Sequence, residues 1–218
     1  MRYSAVLFDL DGTLLDTLDD LHDAVNFALN AQRLPMRTRD EVRAFIGNGI
    51  VKLMERSVGR EKLASVDMPA VMNDFKQYYI AHCQDKTAPY DGVLPLLKEL
   101  RNRGVKIGVV SNKADFAVQK LCVAYFGGLI DVAIGENEAG GVRKKPAPDT
   151  VLAAIEALGV KRQNTVYVGD SEVDIQTANN AAVECVSVAW GMKDRGFLLA
   201  NGAKTVVDNV RELLNCII

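Results

Sequence analysis

Soft-metal ligands are scarce in this chain, whose 218 residues include two histidines and four cysteines. His22 and His82 each lie in a helical pattern with no second His or Cys at ligand spacing, which argues against a zinc site. Cys83, Cys122, Cys185 and Cys216 form no Cys-x-x-Cys pair. They read as small core residues or surface thiols of a reducing compartment. A dominant charge is missing too: 26 Lys and Arg stand against 28 Asp and Glu, with no long basic run to serve nucleic acid. No apolar run is long enough to span a bilayer, and no secretory signal is visible at the N-terminus. A soluble, cytoplasmic protein without membrane or nucleic-acid partners is expected. Internal repeats and low-complexity segments are absent, apart from the short basic knot Arg143-Lys144-Lys145. The remaining composition, 49 % hydrophobic and 25 % charged, is that of a globular protein. The length suits one large domain or a domain carrying a smaller insert.

What is present gathers first near the N-terminus, in Val6-Leu7-Phe8-Asp9-Leu10-Asp11-Gly12-Thr13-Leu14-Leu15. The apolar run Ala5–Phe8 predicts a short buried strand. It leads straight into two carboxylates, a costly arrangement unless a cation compensates them. Mg²⁺ fits, as a hard ion that takes one or two carboxylates and otherwise keeps water or phosphate oxygens. If the strand geometry persists, Asp9 and Asp11 project to the same side. Gly12 then lets the backbone turn away close to a ligand.

Beyond Asp16 the period becomes helical. Leu18, Leu21, Val25 and Leu29 share one face, and Thr38 with Glu41 forms a capping box for a second helix. Ile50–Val58 and Val71–His82 give two more helical faces, with no convincing strand between 16 and 84. From Pro89 the pattern alternates: helix 93–100, strand 105–110, helix 116–122, strand 132–134, helix 151–158, strand 165–168, a short helix through Val173, strand 185–189, an edge strand near 204–207 and a closing helix. Alternation of this kind predicts a Rossmann-like α/β fold, a parallel sheet with right-handed crossovers. Its expected limits are residues 1–15 and 89–218, interrupted by an all-helical insert over 16–88.

Ligands of such sheets bind beyond the C-terminal strand ends. Three strands here end in polar clusters: Asp9-Leu10-Asp11, Ser111-Asn112-Lys113 and Gly169-Asp170-Ser171-x-x-Asp174. Lys145 stands in the loop before another helix, in Lys145-Pro146-Ala147-Pro148-Asp149. These four stations, spread over nearly the whole chain, resemble the four motifs of the haloacid dehalogenase superfamily, whose members are mostly phosphatases. The resemblance implies that Asp9 is the nucleophile, forming an aspartyl-phosphate, and that Asp11 is the general acid and base. It implies Mg²⁺ held by Asp9, the Asp11 backbone carbonyl and Asp170. Ser111 and Asn112 fall at the phosphate, Lys145 supplies positive charge to nucleophile and phosphate, and Thr13 and Asp174 support them, Asp174 by orienting Lys145 or a metal-bound water. The helical insert matches the cap of the subgroup that holds phosphoglycolate phosphatases, β-phosphoglucomutases and haloacid dehalogenases. Gly47-Asn48-Gly49 is its expected substrate-side loop.

Asp11 separates the chain from dehalogenases, which lack the second aspartate, and argues against phosphonate-cleaving relatives. Thr13 stands where β-phosphoglucomutase-type mutases usually carry valine. The pattern looks most like phosphoglycolate phosphatases, although Ala189-Trp190-Gly191-Met192-Lys193-Asp194-Arg195 departs from them and leaves the substrate open. The expectation is a Mg²⁺-dependent phosphatase acting on a small phosphorylated metabolite, as monomer or homodimer. A nucleotide 5′-phosphatase or a pyrophosphatase is the near alternative. A phosphomutase is more distant, and a non-catalytic phosphate-binding module more distant still.

Overall fold

Ala-Val-Leu-Phe at positions 5–8 forms strand β1, with all four residues buried. Only a strand covered on both faces by helices tolerates such continuous apolarity. In the computed structural model, which describes residues 2–218, the chain divides into two compact units. One comprises the chain through Leu15 together with Pro89–Ile218; the other is Asp16–Ala88. Two-residue strands, β2 (Leu15–Asp16) and β3 (Ala88–Pro89), lie where the chain passes between them. Asp16 therefore belongs to a short strand that the helical pattern did not announce.

The first unit is α/β. After helix α5 (Val93–Asn102) come β4 (Lys106–Ala114), α6 (Asp115–Phe126), β5 (Val132–Glu136), α7 (Asp149–Leu158) and β6 (Thr165–Gly169). Helix α8 (Glu172–Ala181), β7 (Glu184–Val188), α9 (Arg195–Ala200), β8 (Val206–Val207) and α10 (Val210–Ile217) complete it. The six strands are parallel in the order β5-β4-β1-β6-β7-β8. β1 is central, and Phe8 is in register with Val109 on one side and Val168 on the other. Successive strands leave β1 in opposite directions, so their C-terminal ends open a crevice at this switch point. Ala5, Leu7, Val110, Tyr167 and the inner faces of α7 and α8 make one continuous core.

Two elements differ from the sequence reading. β4 does not stop at Val110 but carries Ser111, Asn112 and Lys113 within the strand as far as Ala114, with a register irregularity against β5 after Val110. Polar residues tolerate a buried strand end when it borders a polar site. Helix α9 went unread because its six residues are too few to show a helical period; Asp194 caps it by accepting from the Phe197 N–H at 2.8 Å.

The second unit is built of α1 (Leu18–Ala31), α2 (Arg39–Phe45), α3 (Ile50–Val58) and α4 (Met68–His82). Leu21, Val25 and Leu29 of α1 are buried, as are Val71, Phe75 and Tyr79 of α4. Thr38 and Glu41 form the expected reciprocal capping box on α2. Gly59, at φ +94°, ends α3. Buried Asp20 accepts from the Lys86 and Thr87 N–H groups and from Thr87 Oγ1, fastening the end of this unit to its first helix. His22 is structural, within 3.1 Å of the Arg37 carbonyl and 2.9 Å of Asn26 Nδ2. Among the described residues no helix is long and apolar enough to cross a membrane, and all four cysteines are free.

Candidate active site

The α/β unit gathers the proposed chemical groups at the ends of β1, β4 and β6. Asp9 follows β1 and stays attached to β6, its N–H donating to the Val168 carbonyl at 2.9 Å. The strand does not persist to Asp11. The Leu10 carbonyl accepts from the N–H groups of Thr13, Leu14 and Leu15, winding the chain into a turn that Gly12 completes at φ +85°. This coil, rather than pleat alternation, sets where the two aspartates go. Asp9 turns into the buried site, and Asp11 pairs across to β4, both of its oxygens receiving Lys113 Nζ at 2.9 and 3.0 Å.

Lys145 is held at both ends. The Asn112 amide clamps its main chain: Oδ1 accepts from the Lys145 N–H at 2.8 Å and Nδ2 donates to the Lys145 carbonyl at 3.0 Å. Asn112, expected at the phosphate, thus has both ends of its amide on the lysine. At the other end, Nζ lies 2.9 Å from Asp9 Oδ1, 2.7 Å from Asp174 Oδ1 and 3.0 Å from Tyr167 Oη. An ammonium has three protons, and here it has three oxygen partners. Burial works against its charge, but Asp174 and Asp9 outweigh burial and hold the ammonium protonated above the ordinary lysine range. Tyr167 Oη also lies 3.0 Å from Asp174 Oδ1, and burial beside that carboxylate pushes the phenol well above its usual pKa.

Asp174 caps α8 reciprocally with Ser171. Its Oδ2 accepts from the Asp170 and Ser171 N–H groups and from Ser171 Oγ, the last at 2.6 Å. Protein donors therefore occupy both of its oxygens, Lys145 Nζ and Tyr167 Oη on Oδ1 and the α8 N-terminus on Oδ2. Asp170 follows β6 and is buried, accepting from Thr13 Oγ1 at 3.3 Å and from the Met192 N–H at 2.6 Å.

One carboxylate oxygen from each of Asp9, Asp170 and Asp174 lies within 4.8 Å of the other two. Burial pushes the Asp9 carboxyl up to about 6 against the pull of Lys145, with the charges of Asp174 and Asp11 adding to the rise. Burial, then Asp174 and Asp9, raise Asp170 well above the carboxylate range. One ammonium does not balance this cluster. Asp9 Oδ1 is fully buried, with the Lys145 ammonium at 2.9 Å as its ionic contact. A Cβ on Gly12 would fall on the Asp170 carboxylate, so glycine keeps that approach open. Hard oxygen donors with surplus negative charge fit a divalent cation. The gathered carboxylates are those of Asp9, Asp170 and Asp174, whereas the Asp11 carboxylate is on Lys113; Asp11 retains its main-chain carbonyl as a possible donor.

Ser111 is buried on β4, where its Oγ accepts from the Lys113 N–H at 3.3 Å; α6 begins only after Ala114. Gly47 and Asn48 belong to the helical unit, in the loop between α2 and α3, where Asn48 Oδ1 accepts from Arg56 at 2.8 Å. The sequence reading gave no role to Lys113, Tyr167 or Met192. Lys113 stood inside a recognised polar cluster. Tyr167 had one available signal, a phenol in an otherwise apolar strand, whose buried hydroxyl must find a partner. The Met192 contribution is a backbone N–H and leaves no trace in residue identity.

A family model for haloacid dehalogenase-like hydrolases matches residues 6–188. Phosphoglycolate phosphatase of Caulobacter vibrioides is 34 % identical over 191 residues, covering 86 % of this chain and 80 % of that protein. Phosphoglycolate phosphatase 1 of Pseudomonas aeruginosa is 32 % identical over 217 residues, covering 97 % and 78 %. Among solved structures, a candidate phosphoglycolate phosphatase from Lactobacillus delbrueckii subsp. bulgaricus matches at TM-score 0.93 and 38 % identity, over 100 % of this chain and 99 % of that one. With these likenesses running through all four polar stations and the parallel sheet, the chain belongs to the haloacid dehalogenase-like hydrolase family.

Proposed function

We propose that the chain is a phosphatase that hydrolyses small phosphate monoesters through an aspartyl-phosphate on Asp9, with 2-phosphoglycolate the first substrate to test. The observation that carries this reading is the Asp9 carboxylate buried 2.9 Å from a fully tethered Lys145 ammonium at the sheet's switch point. Phosphoryl transfer needs little more than position and charge neutralisation. Asp9 attacks phosphorus, the bond to the leaving oxygen breaks, and Asp11, which must carry a proton and turn from Lys113 for this step, protonates that oxygen. Asp11 then takes a proton from the water that attacks the aspartyl-phosphate, releasing inorganic phosphate and restoring Asp9. Lys145 offsets charge on nucleophile and phosphoryl oxygens, and the Ser111 hydroxyl donates to the latter. Asn112 serves chiefly by fixing the Lys145 main chain. A divalent cation, Mg²⁺ by its preference for few carboxylates, would be held by Asp9, the Asp11 carbonyl and Asp170 and would neutralise phosphoryl charge. The helical unit takes the part of the family's cap, with Gly47 and Asn48 as its candidate substrate contacts.

The test is phosphate release by purified protein from 2-phosphoglycolate, glucose 1-phosphate, nucleoside 5′-monophosphates and pyrophosphate, with Mg²⁺ or with excess chelator. Mg²⁺-dependent turnover led by 2-phosphoglycolate, and lost in Asp9→Asn, is the expected result. Preference for nucleotides or pyrophosphate moves the substrate to the near alternatives. Glucose phosphate isomerised without phosphate release indicates a mutase, and inactivity on every ester refutes the reading.

A further inference from the structure

The segment after β7, marked by sequence only as a departure from the family pattern, has no task in the reaction above. It nevertheless meets the site at several points. Trp190 Nε1 donates to the Thr13 carbonyl at 3.1 Å. Thr13 Oγ1 donates to Asp170 Oδ1 at 3.3 Å, and the Met192 N–H donates to Asp170 Oδ2 at 2.6 Å. Gly191 stands between these anchors. A Cβ there would lie on the Gly12 carbonyl oxygen and within 2.5 Å of Asp170 Cβ and Oδ2, so only glycine lets the backbone approach this closely.

Each oxygen of a carboxylate has two lone pairs. With Thr13 on one oxygen of Asp170 and Met192 on the other, a lone pair remains on each, in a direction the protein has set. Asp170 is 1 % exposed, so these positions face the protein interior rather than bulk solvent. The loop also joins the turn after Asp9 to the end of β6, the two places from which the cation's protein ligands come. Such outer partners normally govern how well a carboxylate is presented to a metal.

We propose that Trp190–Met192 is a positioning element that fixes the orientation of the Asp170 carboxylate and thereby sets the chain's affinity for its divalent cation. This rests on the reading of Asp170 as a cation ligand. The experiment is calorimetric titration of Mg²⁺ into chelator-stripped, full-length protein, alongside the melting temperature of each variant. Gly191→Ala displaces the backbone from Asp170 and is expected to weaken the Mg²⁺ Kd by about tenfold or more, as for loss of partners just outside a ligand shell. Trp190→Phe keeps a ring but removes the donor to Thr13, and should weaken Kd by about fivefold, the equivalent of one hydrogen bond. A folded Trp190→Phe protein with unchanged Kd overturns the proposal whatever its melting temperature. Should Gly191→Ala fail to fold, Trp190→Phe alone decides. No Mg²⁺ binding by the wild-type chain refutes the cation reading itself, whereas wild-type binding with both variants unchanged refutes only the role of the loop.

Discussion

Asp9→Asn should abolish turnover while making the metal-free protein more stable. The nucleophile is buried among like charges, and its carboxyl is raised from the ordinary 3.8 to about 6, first by burial and then by Asp174 and Asp11 against the pull of Lys145. At about 1.4 kcal/mol per pH unit, the ionised carboxylate costs the metal-free fold about 3 kcal/mol at neutral pH. The native state keeps this proton to higher pH than the unfolded chain does. Stability therefore falls as pH rises from about 4 to about 6, and stays lower above that window. Asparagine preserves the shape and carries no charge. For a chain of this size each kcal/mol is about 2–4 °C in Tm, so the gain has a ceiling of about 6–12 °C, which burial of the amide reduces to several degrees. The assay is calorimetric melting of both proteins in chelator from pH 4 to 8. The variant should melt higher at pH 7.5, and the difference should shrink toward pH 4, where Asp9 is protonated in the native state and partly protonated in the unfolded chain. Mg²⁺ should stabilise wild type more than the variant, because it binds the native carboxylate. An Asp9→Asn protein less stable than wild type in chelator at pH 7.5, or a gap undiminished at pH 4, would refute this account of the site.

Lys145→Met removes the cation between Asp9 and Asp174; kcat should drop by about 10²–10³ on every ester alike, with about 3–5 kcal/mol of stability lost. Steady-state kinetics across several esters checks this, and a loss confined to one substrate contradicts it. Tyr167→Phe takes away the third partner of the ammonium, a buried hydrogen bond to charge worth about 1.5–3 kcal/mol. Its kcat should fall about tenfold or more while KM stays near wild type, since the phenol supports the Lys145–Asp174 pair rather than the substrate. Asn48→Ala, in the helical unit, should instead raise KM or reorder substrates and leave kcat on the best ester nearly unchanged; uniform slowing of all esters argues against a recognition role.

Local order was legible because it depends on neighbours in sequence. The run Ala5–Phe8 could be little other than a buried strand, and Thr38 with Glu41 could announce a helix start, because hydrogen bonding and side-chain period act over a few residues. The stations Asp9, Ser111, Lys145 and Asp170 were visible as polar breaks at strand and loop ends. Sequence alone thus determined an alternating α/β chain with a helical insert and clustered acidic residues at strand ends, and the family resemblance of those clusters implied a phosphate-directed chemistry. Tertiary structure decided what each group touches. The order β5-β4-β1-β6-β7-β8 sets Asp9 between β4 and β6. It pairs Asp11 with Lys113 across 102 positions, brings the Asn112 amide to the Lys145 main chain, and lays the Met192 N–H on Asp170. These are contacts between segments far apart in sequence, several made by backbone atoms that every residue carries, and only the register of packed strands selects them from the alternatives.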